Sequence, residues 1–167
     1  MIRARWQIHM ALTVALALAA VGARGQSYGQ SSSLLKGDTV EFLYPEQVHV
    51  TAGRAAPVAL HFRVLPGLHI NSHTPNGSFL IPTVFSLASG SGVCLNGLSY
   101  PAGEELTLPI APKTKLSVYT GEFVIHARVV ATRGDHMLLG KLHYQACNLS
   151  QCLPPKTITV PLDVVAK

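Results

Sequence analysis

The sequence is poor in several things a soluble catalyst or nucleic-acid reader would use. Charged residues make up 13% of the chain and aromatics 7%, with a single tryptophan. No Lys/Arg cluster interleaved with aromatics occurs, which argues against nucleic acid as a partner. There is no heptad repeat, no internal repeat, and no segment with a convincing 3.6-residue apolar stripe, so helical bundles and coiled coils are excluded. No Ser/His/Asp set or carboxylate pair stands out. Cysteine is scarce too: three residues, an odd number, so one is expected to stay unpaired.

Long apolar runs are also lacking, with one exception. Arg3 and Arg5 precede "MALTVALALAAV" (10–21), followed by the small-residue stretch "GARGQ". A positive start, a short apolar core and a small-residue exit describe a secretory signal peptide. The run falls short of the roughly 20 residues a membrane span needs. Cleavage is expected after Ala23 or Gly25, giving a signal peptide over 1–25, a periplasmic location and a mature chain without a membrane span. Loss of the signal arginines lowers the formal +5 to about +2 or +3, ordinary for a soluble domain. Residues 26–36, rich in Ser, Gln and Gly, read as a flexible leader. Residues 37–167 are one domain's worth, long enough to bury a core without covalent help.

What is present is period-two alternation. In 57–65, Val58, Leu60, Phe62 and Val64 share a face; in 122–130, Phe123, Ile125, Ala127 and Val129 do so. Leu138, Leu142, Tyr144 and Ala146 repeat the pattern in 138–146, and Ile158, Val160 and Leu162 in 157–164. Further strands are expected at 39–43, 47–51, 68–70, 83–87, 93–99 and 105–110. Half-buried antiparallel strands punctuated by Gly and Pro predict an all-β, immunoglobulin-like antiparallel β-sandwich.

Within that frame "YQACNLSQCLPP" (144–155) falls at a hairpin tip. It sets Cys147 and Cys152 five positions apart, ahead of Pro154 and Pro155. Export implies an oxidising compartment where a disulfide persists. As a staple the bridge would do little, since closing so short a loop removes only about 2 kcal/mol of unfolded-chain freedom. Two prolines without N–H groups stiffen the exit from Cys152 and keep it out of the ladder. Spacing alone leaves three readings open: a redox pair, a structural staple, or half of a metal site. For the last, His69 and His73 in "HINSHTP" are the candidate co-ligands, which would make a periplasmic copper-binding protein. The staple reading corresponds to a non-catalytic interaction module. Cys94, between Val93 and Leu95, is expected to be a small buried hydrophobe.

The segment "YQACNLSQCLPPKTITVPLDV" resembles the active-site region of the N-terminal periplasmic domain of the thiol:disulfide interchange protein family DsbD. "LPGLHINSHTP" resembles that family's segment beside the active site, and "LSVYTGEF" the end of its cap loop through Tyr119. The likeness implies an immunoglobulin-like domain acting as a thiol:disulfide oxidoreductase, a protein-disulfide reductase component. It implies no cofactor beyond a redox-active Cys147–Cys152 disulfide, and no metal. Cys152, before Pro-Pro, is then the exchanging thiol and Cys147 the resolving one. The implied partners are a thioredoxin-like electron-donor domain and, as acceptor, a periplasmic disulfide isomerase or a cytochrome-maturation thioredoxin. His69 and Asn71 stand where the family carries two aromatics flanking the site. With Tyr119, set in a covering loop, and Tyr144 they are the expected neighbours of the pair. His69 as imidazolium would lower the thiol pKa.

Overall fold

The computed structural model describes residues 37–43, 47–88 and 92–167. The expected signal peptide and leader lie outside these residues. The described residues form twelve strands in chain order: β1 Val40–Leu43, β2 Gln47–Val50, β3 Ala56–Val64, β4 His69–Asn71, β5 Val84–Leu87 and β6 Val93–Ser99. They continue with β7 Glu104–Leu108, β8 Ala111–Tyr119, β9 Glu122–Ala131, β10 Gly134–Tyr144, β11 Ala146–Cys147 and β12 Lys156–Ala166. Among the described residues there is no helix.

Three four-stranded sheets result, with orders β1-β3-β9-β6, β2-β12-β10-β5 and β11-β4-β8-β7. Every pairing is antiparallel except β2 with β12. The first two sheets supply one continuous core in which the alternating residues of β3, β9, β10 and β12 meet. Leu60, Phe62, Ile125, Leu142, Tyr144 and Val160 are fully buried there. Each such apolar side chain withdrawn from water favours the fold by about 1.5–3 kcal/mol before the entropy of ordering it is counted. The architecture is the all-β, immunoglobulin-like sandwich that the alternation predicts.

The third sheet carries His69, Asn71, Tyr119 and Cys147. An aromatic series fastens it to the core: Phe42 on Phe62 at 5.4 Å, Phe62 on Phe123 at 5.3 Å and Phe123 on Tyr119 at 4.8 Å between ring centroids. Gly121, in the left-handed region at φ 52°, turns β8 back into β9, a conformation that disfavours a Cβ. Strand β8 is missing from the expected set. Its first half, Ala111–Lys115, has no apolar alternation because it stands out from the body as one arm of the β7–β8 hairpin, exposed or half-exposed on both faces.

Cys94 departs from expectation. It is exposed on β6, an edge strand of the first sheet. Alternation accounts for this, since Val93 takes the inward position and its neighbour must point out.

Candidate functional site

The chain leaves β10 through Gln145, forms β11, turns over 148–151, and returns through Cys152 and Leu153 to the two prolines and β12. The turn is closed locally. Asn148 Oδ1 accepts from the backbone N–H groups of Ser150 and Gln151, both at 2.8 Å, and Asn148 N–H donates to Gln151 O at 2.9 Å. An asparagine that bonds the backbone two and three residues on is a strong turn former. Beyond the cysteines, Leu153 N–H donates to Ala146 O at 2.8 Å, and the Gln145 side-chain amide donates to Leu153 O at 3.1 Å. Cys147 and Cys152 are thereby set opposite one another as an antiparallel bridge, and they are joined by a disulfide. Their Cα atoms are 3.9 Å apart, closer than the usual range of about 4.4–6.8 Å.

The two sulfurs live in different surroundings. Cys147 is 3% exposed, whereas Cys152 lies on the surface. Pairing of β11 with β4 places His69 directly across from Cys147, and pairing of β4 with β8 places Asn71 across from Val118. His69, Asn71, Leu116 and both cysteines line one cleft of about 360 Å³. Its outer walls are the tip of the β7–β8 hairpin, with Leu108 and Ile110, and the segment before β5, with Phe79 and Leu80. Phe79 is 83% exposed and Ile110 70%, so the rim beside the disulfide is apolar and open to water. Asn71 holds the second wall: its Nδ2 donates to Ile81 O at 3.0 Å, and Thr83 Oγ1 donates to Asn71 O at 2.6 Å.

His69 is 4% exposed. Burial pushes its pKa below the ordinary 6.5, so near neutral pH the ring is an uncharged imidazole. This corrects the expectation of an imidazolium stabilising a thiolate. Among the described residues the cleft is lined by no carboxylate to hold a charged ring, and desolvation lowers the pKa.

Tyr119 and Tyr144 share the neighbourhood but not the cleft. Tyr119 pairs with Ile70, on the opposite face of the sheet from His69, and its ring stacks on Phe123. Its hydroxyl donates to Pro101 O at 3.0 Å and accepts from His73 N–H at 3.1 Å. Tyr119 is a buried strand residue and not part of a covering loop; Leu108 and Ile110 of the hairpin tip line the cleft instead. Tyr144 is wholly buried in the core, its hydroxyl accepting from the Thr39 N–H at 3.3 Å.

His73 also turns elsewhere. Its ring stacks on Tyr100 at 3.7 Å, and Nδ1 donates to the Thr83 carbonyl at 3.0 Å. A copper set built from His69, His73 and the cysteines does not assemble, and no group of three or more His, Cys, Asp or Glu converges among the described residues. The sequence reading missed Phe79, Leu80, Ile110 and Leu116. An unassigned apolar run, "SFLI" at 78–81, was the available signal.

No protein-family model matches the sequence, and no curated protein matches it. Among solved structures, the N-terminal periplasmic domain of ScsB from Proteus mirabilis superposes with a TM-score of 0.50 at 14% identity. That match covers 74% of this chain and 44% of the other, so the chain spans less than half of the ScsB structure. This chain shares the fold of that ScsB domain. The reduced DsbD N-terminal domain of Neisseria meningitidis is also similar, at a TM-score of 0.44 and 20% identity, over 70% of this chain and 82% of that one. A PapD-like domain of human CEP192 follows at 0.38 and 11% identity, over 77% and 85%. No helix of the described residues is long and apolar enough to cross a membrane.

Proposed function

We propose that this chain is an exported thiol–disulfide exchange domain that relays electrons through Cys147 and Cys152. One observation carries the reading: an exposed sulfur, Cys152, is bonded to a buried one, Cys147, at the mouth of an open apolar cleft. Exchange needs a sulfur that an incoming thiolate reaches and a second that is sheltered until the first is engaged. A reduced partner's thiolate attacks Cys152, and the Cys147–Cys152 bond breaks with its electron pair leaving on Cys147. A second partner thiol then releases the partner as a disulfide, and the pair is left as a dithiol. In the reverse sense Cys152 attacks an acceptor's disulfide and Cys147 displaces the reduced acceptor. The donor of this scheme is a thioredoxin-like domain. The acceptor is a periplasmic disulfide isomerase or a cytochrome-maturation thioredoxin, with the signal peptide delivering the chain to the periplasm. The sequence resemblance supports both assignments.

The competing reading is a staple in an interaction module. The bridge closes a loop too short to restrict the unfolded chain by much, which favours exchange. Equilibration against glutathione and dithiothreitol buffers separates the two. The exchange reading expects a potential above about −300 mV, the level below which structural disulfides lie. A value well below that level would leave a staple.

A further inference from the structure

Among the described residues, the cleft beside the bridge is lined by one base, His69. The hairpin tip and the segment before β5 contribute apolar side chains and Thr114 to its walls, and the 148–151 turn contributes amides and Ser150. Among the described residues, no carboxylate, amine, guanidinium or phenol faces into it, from β4, β8, β11 or either loop. Apart from the two cysteines, His69 is the titratable group there. Its ring is more than nine-tenths buried and makes no hydrogen bond among the described residues, though buried imidazoles ordinarily find a partner. It also stands in register with Cys147, and directly opposed residues of an antiparallel pair have Cβ atoms about 4.5–5.5 Å apart.

Exchange creates a need for such a group. Once Cys152 is tied to a partner, Cys147 must attack, yet a thiol buried among apolar groups keeps its proton, and the thiol form is a poor nucleophile. Water reaches Cys147 little, given its burial. We propose that His69 accepts the proton of Cys147 as this buried thiol closes onto Cys152, an inference that rests on the exchange reading above. The imidazole's unprotonated nitrogen takes the proton. The Cys147–Cys152 bond forms, the bond between Cys152 and the partner breaks, and its electron pair leaves on the partner sulfur. The imidazolium then passes the proton to that departing thiolate. The cysteine pair is oxidised by two electrons, and the partner disulfide is reduced to a dithiol. The burial that empties the cleft of counter-charges also keeps His69 uncharged near neutral pH, the state able to accept.

The test follows closure with dithiobis-nitrobenzoate on the full chain carrying Cys94→Ser, first reduced and freed of reductant, so that only the dithiol pair reports. The first coloured thiolate marks attack by Cys152 and the second marks closure by Cys147. In the parent, the second rate should fall on acidification below pH 6.5 and stay level from neutral pH until the thiols ionise unaided. In His69→Gln and His69→Asn, it should be about 100-fold slower near pH 7. It should then climb with pH until it rejoins the parent, with the first release unchanged. Free imidazole should restore closure in His69→Ala. Parallel profiles in parent and variants overturn this inference alone, as does a parent profile without the acidic fall. Absence of any second release from the parent overturns the exchange reading and this inference with it.

Discussion

Each of the three cysteines has a chemistry set by where its strand points it. Cys94 and Cys152 face water, and Cys147 does not. Native, oxidised protein should therefore take up one maleimide per chain, at Cys94, and mass mapping without reduction should find Cys147 bonded to Cys152. Recovery of a peptide linking Cys94 to either partner would contradict the assignment. The cysteine pair was legible from its five-position spacing and its Pro-Pro exit. The exposure of Cys94 was not, because a lone cysteine between Val93 and Leu95 fits either phase of an alternation until a sheet fixes which neighbour points inward. The charge state of His69 was likewise hidden. The family resemblance places an imidazole near a thiol, but only the folded cleft reveals that no counter-ion accompanies it among the described residues.

At the level of elements, the four long alternating segments gave strands β3, β9, β10 and β12 with the correct inward faces, since period-two patterns survive any sheet arrangement. The β7–β8 hairpin was only half legible. Its tip is open to water, with Ile110 70% exposed, and its arm reads "APKTK". That same projection supports a role for the hairpin and for the segment held by Asn71 as the two walls a protein partner meets. Phe79→Ser and Ile110→Ser, both at exposed positions, should change stability by less than about 0.5 kcal/mol. Each should slow exchange with a protein dithiol such as reduced thioredoxin by about fivefold or more, as loss of an apolar contact worth about 1 kcal/mol implies. Reduction by dithiothreitol, which needs no docking surface, should change little. Equal slowing with both reductants would mean that the walls shape the disulfide's reactivity rather than receive a partner.

Across the whole molecule, buried titratable groups set the pH range in which the fold is firm. His69 has a folded pKa below its ordinary 6.5. Between the folded value and 6.5 the unfolded chain binds more protons, so stability is lost as pH falls through that window. Tyr100 and Tyr119 are raised above 10 by burial, so their contribution is present below pH 10 and fades above it. Urea midpoints should therefore decline from neutral pH toward pH 5, and His69→Gln should flatten that decline; an equal slope in the variant would remove His69 from the account. The sandwich, the hairpin-tip bridge and the apolar cleft come together in one claim, that Cys152 meets partners and Cys147 resolves them. Trapping tests it most directly. Cys147→Ala and Cys152→Ala variants of the full chain, both also carrying Cys94→Ser, are each mixed with an oxidised periplasmic extract, quenched with acid and separated without reduction. The account predicts that mixed disulfides accumulate through Cys152 in the Cys147→Ala protein and are nearly absent in the Cys152→Ala protein. Equal trapping by both variants, or by neither, would contradict it.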